Sequence, residues 1–293
     1  MPYSVDESYR HCIQVARTEA RNFYYSFLCL PAPKRAAMCA IYAFMRYSDD
    51  VSDDGGEQAA KRMAEWRGEL DRALSGDYGE SPVFPAFHDA VRRYGIPARY
   101  FHEVIDGTEM DLRPRRFETF DETYRYCYLV ASVVGLVCIH VFGFSDRRAL
   151  ELAESNGIAF QLTNILRDLR EDAEMGRVYL PQEDLRRFGY TEAELRGGVD
   201  NAAFRELMRF QVERARDYYD RSAPLVELVD ADSRPCLRAM RRIYGGILER
   251  IVAQEYDVFS RRARVPTWKK LWIATEAWWQ SRLVSRQAAH GTS

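Results

Sequence analysis

The sequence predicts an all-α protein in which a single-domain helical bundle surrounds a central active-site cavity. Apolar residues recur at helical spacing along most of the chain, whereas alternating strand patterns closed by Asn-Gly or Asp-Gly turns are essentially absent. Gly and Pro are sparse, at 17 and 11 of 293 residues, and no linker-like stretch divides the chain. We therefore expect residues 1–293 to form one domain.

Local signals place the ends of the predicted helices. Pro31 and Pro33 interrupt the chain at the start of the second predicted helix, residues 33–53. Capping boxes are predicted at Thr119 and Thr191, each with a glutamate three residues later. Residues 175–198 break the helical pattern, and residues 176–181 are predicted to form a loop that leaves the second acidic helix. The predicted helices span residues 6–29, 33–53, 57–75, 84–94, 98–112, 120–142, 146–174, 201–222, 234–262 and 267–287.

Composition excludes several classes of function. The formal net charge of −2 gives no electrostatic reason to expect a nucleic acid as a partner. The six cysteines form no CxxC pair and the five histidines no HxxxH pair, so the sequence indicates reduced, mostly buried thiols and no zinc site. Residues 1–22 are polar and of mixed charge, unlike a secretory signal. We expect a cytoplasmic protein, either a monomer or a homodimer.

Two segments bear on contact with a membrane. Residues 127–144, CYLVASVVGLVCIHVFGF, approach the length of a spanning helix, but they include polar positions, and we interpret them as a buried central helix. Near the C-terminus, residues 268–279 combine tryptophans with Lys269 and Lys270. A packed terminal helix explains this pattern, and so does peripheral contact with a membrane surface.

Two acidic clusters are the most informative feature of the chain. The first cluster is residues 49–54, DDVSDD, and the second is residues 168–172, DLRED. In each cluster two aspartates stand four residues apart, Asp49 with Asp53 and Asp168 with Asp172. On a helix, side chains at this spacing share one side, and like charges there cost a few tenths of a kcal/mol. Two such pairs on otherwise apolar helices indicate cations between the carboxylates.

Other polar residues extend each acidic face. Tyr42 and Arg46 lie on the face of Asp49 and Asp53, at helical offsets 0, 4, 7 and 11. The second face continues through further residues at offsets 0, 3, 7 and 11, namely Gln161, Asn164, Asp168 and Asp172. If both faces point inward, they form two acidic walls of one cavity, with arginines beside them.

Oxygen ligands without His or Cys favour Mg²⁺, for which Mn²⁺ is an allowed substitute. Because Mg²⁺ usually binds one or two carboxylates and prefers phosphate oxygens for its remaining positions, the site predicts a diphosphate ligand. Arginines suit its oxygens, and the candidates are Arg46, Arg167 and Arg177. A departing diphosphate leaves a carbocation, which requires an apolar, aromatic pocket. Aromatic candidates for this pocket are Phe23, Tyr24, Phe27, Tyr42, Phe44 and Phe160.

At these residues the chain resembles the squalene/phytoene synthase family, and the resemblance covers nearly the whole chain. Residues 42–53, YAFMRYSDDVSD, resemble the first aspartate motif of the family, and residues 161–181, QLTNILRDLREDAEMGRVYLP, resemble the second. Residues 105–112, 126–135 and 244–257 are also similar to family sequences. Either aspartate motif alone would be a weak signal, whereas the combination is highly specific.

The resemblance implies an isoprenoid-synthase fold and a head-to-head (1′–1) coupling of two prenyl diphosphates through a cyclopropylcarbinyl diphosphate. By similarity, Asp49, Asp53, Asp168 and Asp172 bind the metal ions. Asn164, Gln161, Arg46, Arg167 and Arg177 bind diphosphate, and Arg46 joins Tyr42 and Tyr179 as the catalytic candidates.

The length of the prenyl chains stays open at this point. The resemblance is stronger to bacterial enzymes that form presqualene diphosphate and squalene, which favours two farnesyl diphosphates (C15) in hopanoid or carotenoid biosynthesis. The alternative is phytoene synthase acting on two geranylgeranyl diphosphates (C20). Phe23 and Phe27 favour a shorter pocket, whereas the small Cys39, one turn before Tyr42, favours a deeper one. NADPH would be needed only if the product is reduced to squalene.

Two further readings compete with this prediction. A class I terpene cyclase has similar motif spacing, but the early position of the first motif and the loop at residues 177–181 argue against it. A catalytically silent family member acting as an assembly factor would have no need to retain both aspartate pairs.

Overall fold

The computed structural model describes residues 3–20, 23–52, 56–112, 116–273, 275–277 and 279. Its helices are α1 Val5–Glu19, α2 Phe23–Phe27, α3 Ala32–Ser52, α4 Gly56–Leu74, α5 Phe84–Arg93, α6 Arg99–Met110, α7 Phe120–Cys127, α8 Val133–Phe142, α9 Arg148–Glu174, α10 Gln182–Arg187, α11 Glu192–Arg196, α12 Ala202–Arg221, α13 Leu225–Leu228 and α14 Arg234–Ala253. Within the described ranges, β structure is limited to two isolated bridges. The prediction of an all-α fold is therefore confirmed.

Two predicted helix ends are wrong. The single helix predicted over 6–29 is divided, because α1 ends at Glu19 and α2 starts at Phe23. The helix predicted over 234–262 ends at Ala253. Glu255 and Tyr256 have φ angles of 53° and 68°, in the left-handed region that a helix cannot contain. The Gln254 amide then donates to two carbonyl oxygens of the following turn, both at 3.2 Å, which stabilises the break.

The loop predicted over residues 176–181 is present, and the two short helices α10 and α11 follow it. Thr191 and Glu194 form the predicted reciprocal capping box at the start of α11. At Thr119 only half of the predicted box is present. The Thr119 hydroxyl accepts from the Glu122 N–H, whereas the Glu122 carboxylate accepts from the N–H of Glu118.

The apolar stretch forms the central helix of the bundle. α7, a π-helical segment at Tyr128–Ser132 and α8 run continuously over Phe120–Phe142, which is long and apolar enough to cross a membrane. The bundle buries 61% of its most apolar window, and α8 contacts α3, α6 and α9. The helices that carry the two acidic clusters, α3 and α9, therefore flank a common central helix. All six cysteines are buried, in agreement with the prediction of mostly buried thiols.

The π-helical segment and α9 meet backbone to backbone. A Cβ placed on Gly157 would lie 2.4 Å from Ser132 Cα and 2.6 Å from Ser132 N, distances that real contacts do not reach. The Ser132 hydroxyl donates to the Glu154 carbonyl at 2.7 Å, which ties the same two elements together. This contact fixes the position of α9 at Gly157, about one helical turn before the acidic face begins at Gln161.

Replacement of Gly157 by Ala is expected to destabilise the fold by about 3 kcal/mol, because the backbones must separate to admit a methyl group. Thermal unfolding followed by circular dichroism measures the change. Gly245→Ala in α14 is the matched control, since its Cβ would meet nothing within 4 Å, and it should be neutral or slightly stabilising. Equal melting temperatures for the two variants would contradict the close-contact argument.

Candidate active site

One face of α9 carries the second acidic cluster. Asn164, Asp168 and Asp172 stand on consecutive turns of this helix, and all three are partly buried. The Asn164 side chain donates to the Gln161 Oε1 at 3.2 Å, which aligns the two amides predicted to assist the site. Its Oδ1 is buried and accepts no hydrogen bond from the described residues. This orphaned oxygen is suited to a cation or to the hydration shell of one.

Asp168 is held between two arginines. The Arg167 guanidinium donates through Nε to Oδ1 at 2.7 Å and through Nη2 to Oδ2, a bidentate pair. Arg262, which follows α14, places Nη2 2.6 Å from the same carboxylate and Nε 3.4 Å from Glu171. The side chains of Arg167 and Asp168 are only 13% and 18% exposed. Asp168 is therefore a shielded and charge-compensated carboxylate. Sequence reasoning missed Arg262 because it lies outside both motifs.

Asp172 has the opposite environment. Burial, with the charge of Asp168 next in importance, raises its pKa to about 7, against the lowering effect of Arg177. Asp111 and Glu171 add to the rise. A carboxyl that becomes protonated near neutral pH because other carboxylates surround it indicates a site where a bound cation would relieve the repulsion.

Asp111, at the end of α6, joins the second wall to two tyrosines. Its Oδ1 accepts from the Tyr179 hydroxyl at 2.8 Å and its Oδ2 from the Tyr126 hydroxyl at 3.2 Å. The rings of these tyrosines stack at 4.8 Å, and Arg177 donates to the Asp111 carbonyl at 3.3 Å. Asp111 was not among the predicted site residues. Its place in the stretch 105–112, which resembles the family, was the available signal.

The first acidic cluster, at the end of α3, is more open. Asp49 and Asp50 are exposed, and Arg46 Nη2 lies 2.5 Å from Asp50 Oδ1. Tyr42 is half-buried; burial raises its pKa, opposed by Arg46 and assisted by Asp49. Asp53, the other predicted metal ligand here, lies outside the described residues.

An aromatic wall stands beside the α9 face. The Tyr244 ring stacks on Phe160 at 4.3 Å and on Phe23 at 5.5 Å, and Phe160 also contacts Tyr219 at 5.9 Å. Burial raises the pKa of Tyr244 to about 12. The charge of Arg167 lowers the pKa of Tyr244 and the charge of Asp168 raises it, so both groups are close to its hydroxyl. Tyr42 of α3 lies near it as well. Tyr244 therefore lies near residues of both predicted acidic walls, Tyr42 of the first and Asp168 of the second, and is part of one aromatic surface.

Other predicted pocket residues lie elsewhere or deeper. Phe27 is 2% exposed in α2, and Cys39 is fully buried at the contact of α3 with α1. There Cys39 lies near Cys12 and contributes to the raised pKa of that thiol. Phe44 packs in the hydrophobic core, with its ring centroid 4.4 Å from that of Phe87. The structure therefore brings Phe23 and Phe160 to the aromatic wall, whereas the Phe44 ring contacts Trp66, Phe87 and Phe101.

The donor set suits a hard cation. Among the described residues no three His, Cys, Asp or Glu side chains already converge at metal-binding distance. The α9 face provides carboxylate oxygens and the unpaired amide oxygen of Asn164. A cation bound there would lower the raised pKa of Asp172. Oxygen donors of this kind fit Mg²⁺ or Mn²⁺.

Comparison with known proteins places this geometry in a family. The family model described as squalene/phytoene synthase matches residues 16–269. A 15-cis-phytoene synthase from Synechococcus elongatus is 38% identical over 284 residues, covering 92% of this chain and 91% of the relative. A dehydrosqualene synthase crystal structure superposes with a TM-score of 0.86 at 28% identity, covering 96% of this chain and 98% of that one. A squalene synthase from Alicyclobacillus acidocaldarius gives 0.81 at 26% identity, covering 86% and 96%. The chain therefore belongs to the squalene/phytoene synthase family of prenyltransferases.

Proposed function

We propose that the protein joins two prenyl diphosphates head to head in an Mg²⁺-dependent reaction, and that its substrate is geranylgeranyl diphosphate (C20). The observation that carries the chain length is the 38% identity to a protein named 15-cis-phytoene synthase, over nearly the full length of both chains. The expectation of a C15 substrate is kept as the second candidate. It is supported by the names of the two similar structures, at 28% and 26% identity.

The proposed metal ligands are Asp168, Asp172 and the orphaned Oδ1 of Asn164 on α9, together with Asp49 and Asp53 of the first acidic cluster. Mg²⁺ bound there would supply positive charge to the departing diphosphate. Arg177, which donates to the Asp111 carbonyl, is a proposed donor to diphosphate oxygens. Arg167 and Arg46 are paired with aspartates and would exchange those carboxylates for diphosphate oxygens.

The remaining side chains of the proposed site stabilise the carbocation and shield it from water. The stacked faces of Phe160, Tyr244 and Phe23 present π-electron density to a cation and exclude water from it. Tyr179 donates its proton to Asp111 Oδ1, so its hydroxyl oxygen keeps lone pairs for a partner in the site. Tyr42 lies on the other side, within reach of the charges of Arg46 and Asp49.

Atom balance decides whether the reaction needs a reductant, and it does so in the same way for either prenyl chain length. Loss of two diphosphates and two protons from two allylic substrates gives a conjugated triene at the centre and needs no reductant. A saturated central bond, as in squalene, requires a hydride, and therefore NADPH or an equivalent donor. The proposed C20 reaction uses no NADPH.

The test is incubation of the protein with Mg²⁺ and either farnesyl or geranylgeranyl diphosphate, with and without NADPH, followed by mass spectrometry of the extract. We expect a C40 hydrocarbon from geranylgeranyl diphosphate, formed without NADPH and abolished by a chelator. A C30 product only from farnesyl diphosphate would move the assignment to the second candidate. A cyclic C15 product would contradict head-to-head coupling.

Tyr179→Phe is expected to lower kcat by about tenfold or more with a smaller change in KM, because Asp111 loses its shorter hydrogen bond beside the site. Tyr190→Phe is the matched control. Tyr190 lies just before α11, and its hydroxyl donates to the carbonyl of Val199, just after α11, at 2.8 Å. Both variants should lose about 1 kcal/mol of stability, and only the first should lose turnover. Equal kcat values would remove Tyr179 from the proposed mechanism.

A further inference from the structure

Three arginines of α14 line a cavity outside the two acidic clusters. Arg238, Arg241 and Arg242 stand at offsets 0, 3 and 4, so they share one face of the helix. The cavity has a volume of about 300 Å³, at the lower end of the range for small-molecule sites. It therefore suits a compact ligand. Its other walls are small or apolar and consist of Val226, Ala239 and Ala277.

Arg241 is the least exposed of the three arginines, and its charge is compensated by no adjacent carboxylate. Its Nη1 donates to the side-chain oxygens of Asn156 and Ser222, and its Nη2 donates to the Tyr219 carbonyl at 2.7 Å. All three acceptors are neutral. Burial lowers the pKa of Arg241, against the raising effects of Tyr219 and Asp220. Asp220 is exposed, and no ion pair joins it to Arg241 in the part of the chain that the structure describes.

Arg241 also keeps two donors for a ligand. A guanidinium has five N–H groups, and three of them form the hydrogen bonds to Asn156, Ser222 and Tyr219. The Nε–H and one Nη2–H have no acceptor among the described residues. Two free donors on neighbouring nitrogens of one guanidinium are what a bidentate contact with phosphate oxygens requires.

The two exposed arginines at the rim of the cavity, Arg238 and Arg242, leave its charge balance positive. Glu227 is shared, since it lies 2.7 Å from Arg238 Nη2 and 2.9 Å from Arg234 Nη1. Arg242 pairs with Glu276 at 2.8 Å. With the third cavity arginine, four guanidinium groups therefore face two carboxylates within ion-pair distance, an excess of two positive charges. A phosphate dianion carries the matching charge.

The cavity is distinct from the candidate active site. Arg241 meets α9 at Asn156, twelve residues before Asp168, which is about 18 Å along the helix axis. The stacked rings of Phe160 and Tyr244 lie between the two places, each about one turn nearer to the acidic face. An anion in the cavity would therefore not occupy the position of the proposed metal ions or of their diphosphate.

We propose that this cavity binds a small soluble phosphate anion, held by a bidentate contact with Arg241 and by the charges of Arg238 and Arg242. The anion supplies the negative charge that the buried guanidinium lacks. Because the same guanidinium donates to Asn156 of α9 and to Tyr219 of α12, bound phosphate also strengthens the junction of these helices with α14. A ligand that binds only the folded state stabilises it, so phosphate should raise the melting temperature of the protein.

The test is isothermal titration calorimetry of the full-length protein with inorganic phosphate, without Mg²⁺ or prenyl diphosphate and at constant ionic strength. We expect saturable binding. The rim variant, Arg238→Gln combined with Arg242→Gln, should weaken it by about tenfold or more, since one charge-assisted hydrogen bond is worth about that factor. Arg241→Lys keeps the charge but loses the bidentate fork, and it should weaken binding as well. Circular dichroism checks that both variants are folded.

Two controls separate this cavity from other basic surfaces. Arg186→Gln combined with Arg205→Gln matches the rim variant, because each of these exposed arginines pairs with one carboxylate elsewhere on the protein. Arg177→Gln removes a proposed diphosphate donor of the candidate active site. Both controls should bind phosphate like the wild type. The proposal is overturned if the wild type binds no phosphate, if the rim variant binds as well as its matched control, or if Arg177→Gln alone abolishes binding. Because neither substrate nor metal is present, these outcomes are independent of the product assay and of the proposed function.

Discussion

Asp172→Asn is expected to make the metal-free protein more stable at pH 8 while abolishing its turnover. The folded state raises the pKa of Asp172 to about 7, mainly through burial and the charge of Asp168. The protonated carboxyl therefore contributes stability that is fully present below its ordinary pKa, near 4, and is lost as the pH rises through about 7. Asparagine keeps the neutral form at every pH.

The expected gain is largest above pH 7 and vanishes near pH 4. A rise of about three pKa units corresponds to an upper limit of about 4 kcal/mol, so the melting temperature at pH 8 should increase by several degrees. Differential scanning calorimetry at pH 4, 6 and 8, with a chelator present, measures the difference. Added Mg²⁺ should raise the melting temperature of the wild type and leave that of the variant nearly unchanged. Identical melting temperatures at pH 8 would contradict the electrostatic account of the α9 face.

Asp168→Asn is expected to lower both turnover and stability. It removes a proposed metal ligand, so kcat should fall by about three orders of magnitude or more. It also leaves the shielded Arg167 and its neighbour Arg262 without their shared carboxylate, which should cost about 1–3 kcal/mol. Asp217→Asn on the exposed face of α12 is the control and should change neither quantity.

The pair of variants distinguishes a metal site from a structural ion-pair network. Both aspartates lie on one face of α9, one turn apart, and both variants should lose turnover. Their effects on stability should have opposite signs, because Asp168 is charge-compensated and Asp172 stands among like charges. Full activity in either variant would remove that residue from the proposed metal site.

Much of the α9 face could be predicted because it is a local property of the chain. The spacing of Gln161, Asn164, Asp168 and Asp172 places them on one side of any straight helix, and α9 runs unbroken from Arg148 to Glu174. The same reasoning failed where a local pattern met a tertiary constraint. The periodicity after Ala253 continues, yet Glu255 and Tyr256 adopt left-handed angles, and the Gln254 side chain satisfies the carbonyls of the turn.

The sequence by itself determined the helical class, the acidic faces and the preference for a hard cation. These follow from the residue types and from the α-helical period of about 3.6 residues per turn. Only the tertiary structure decided which distant groups complete the site. Asp111 from the end of α6, Arg262 from beyond α14 and Tyr244 from α14 meet α9 through packing, which no local pattern encodes. Asp168 and Asp172 are equivalent in sequence spacing, and long-range neighbours make their surroundings different: Arg262 pairs with Asp168, whereas Asp111 helps to raise the pKa of Asp172.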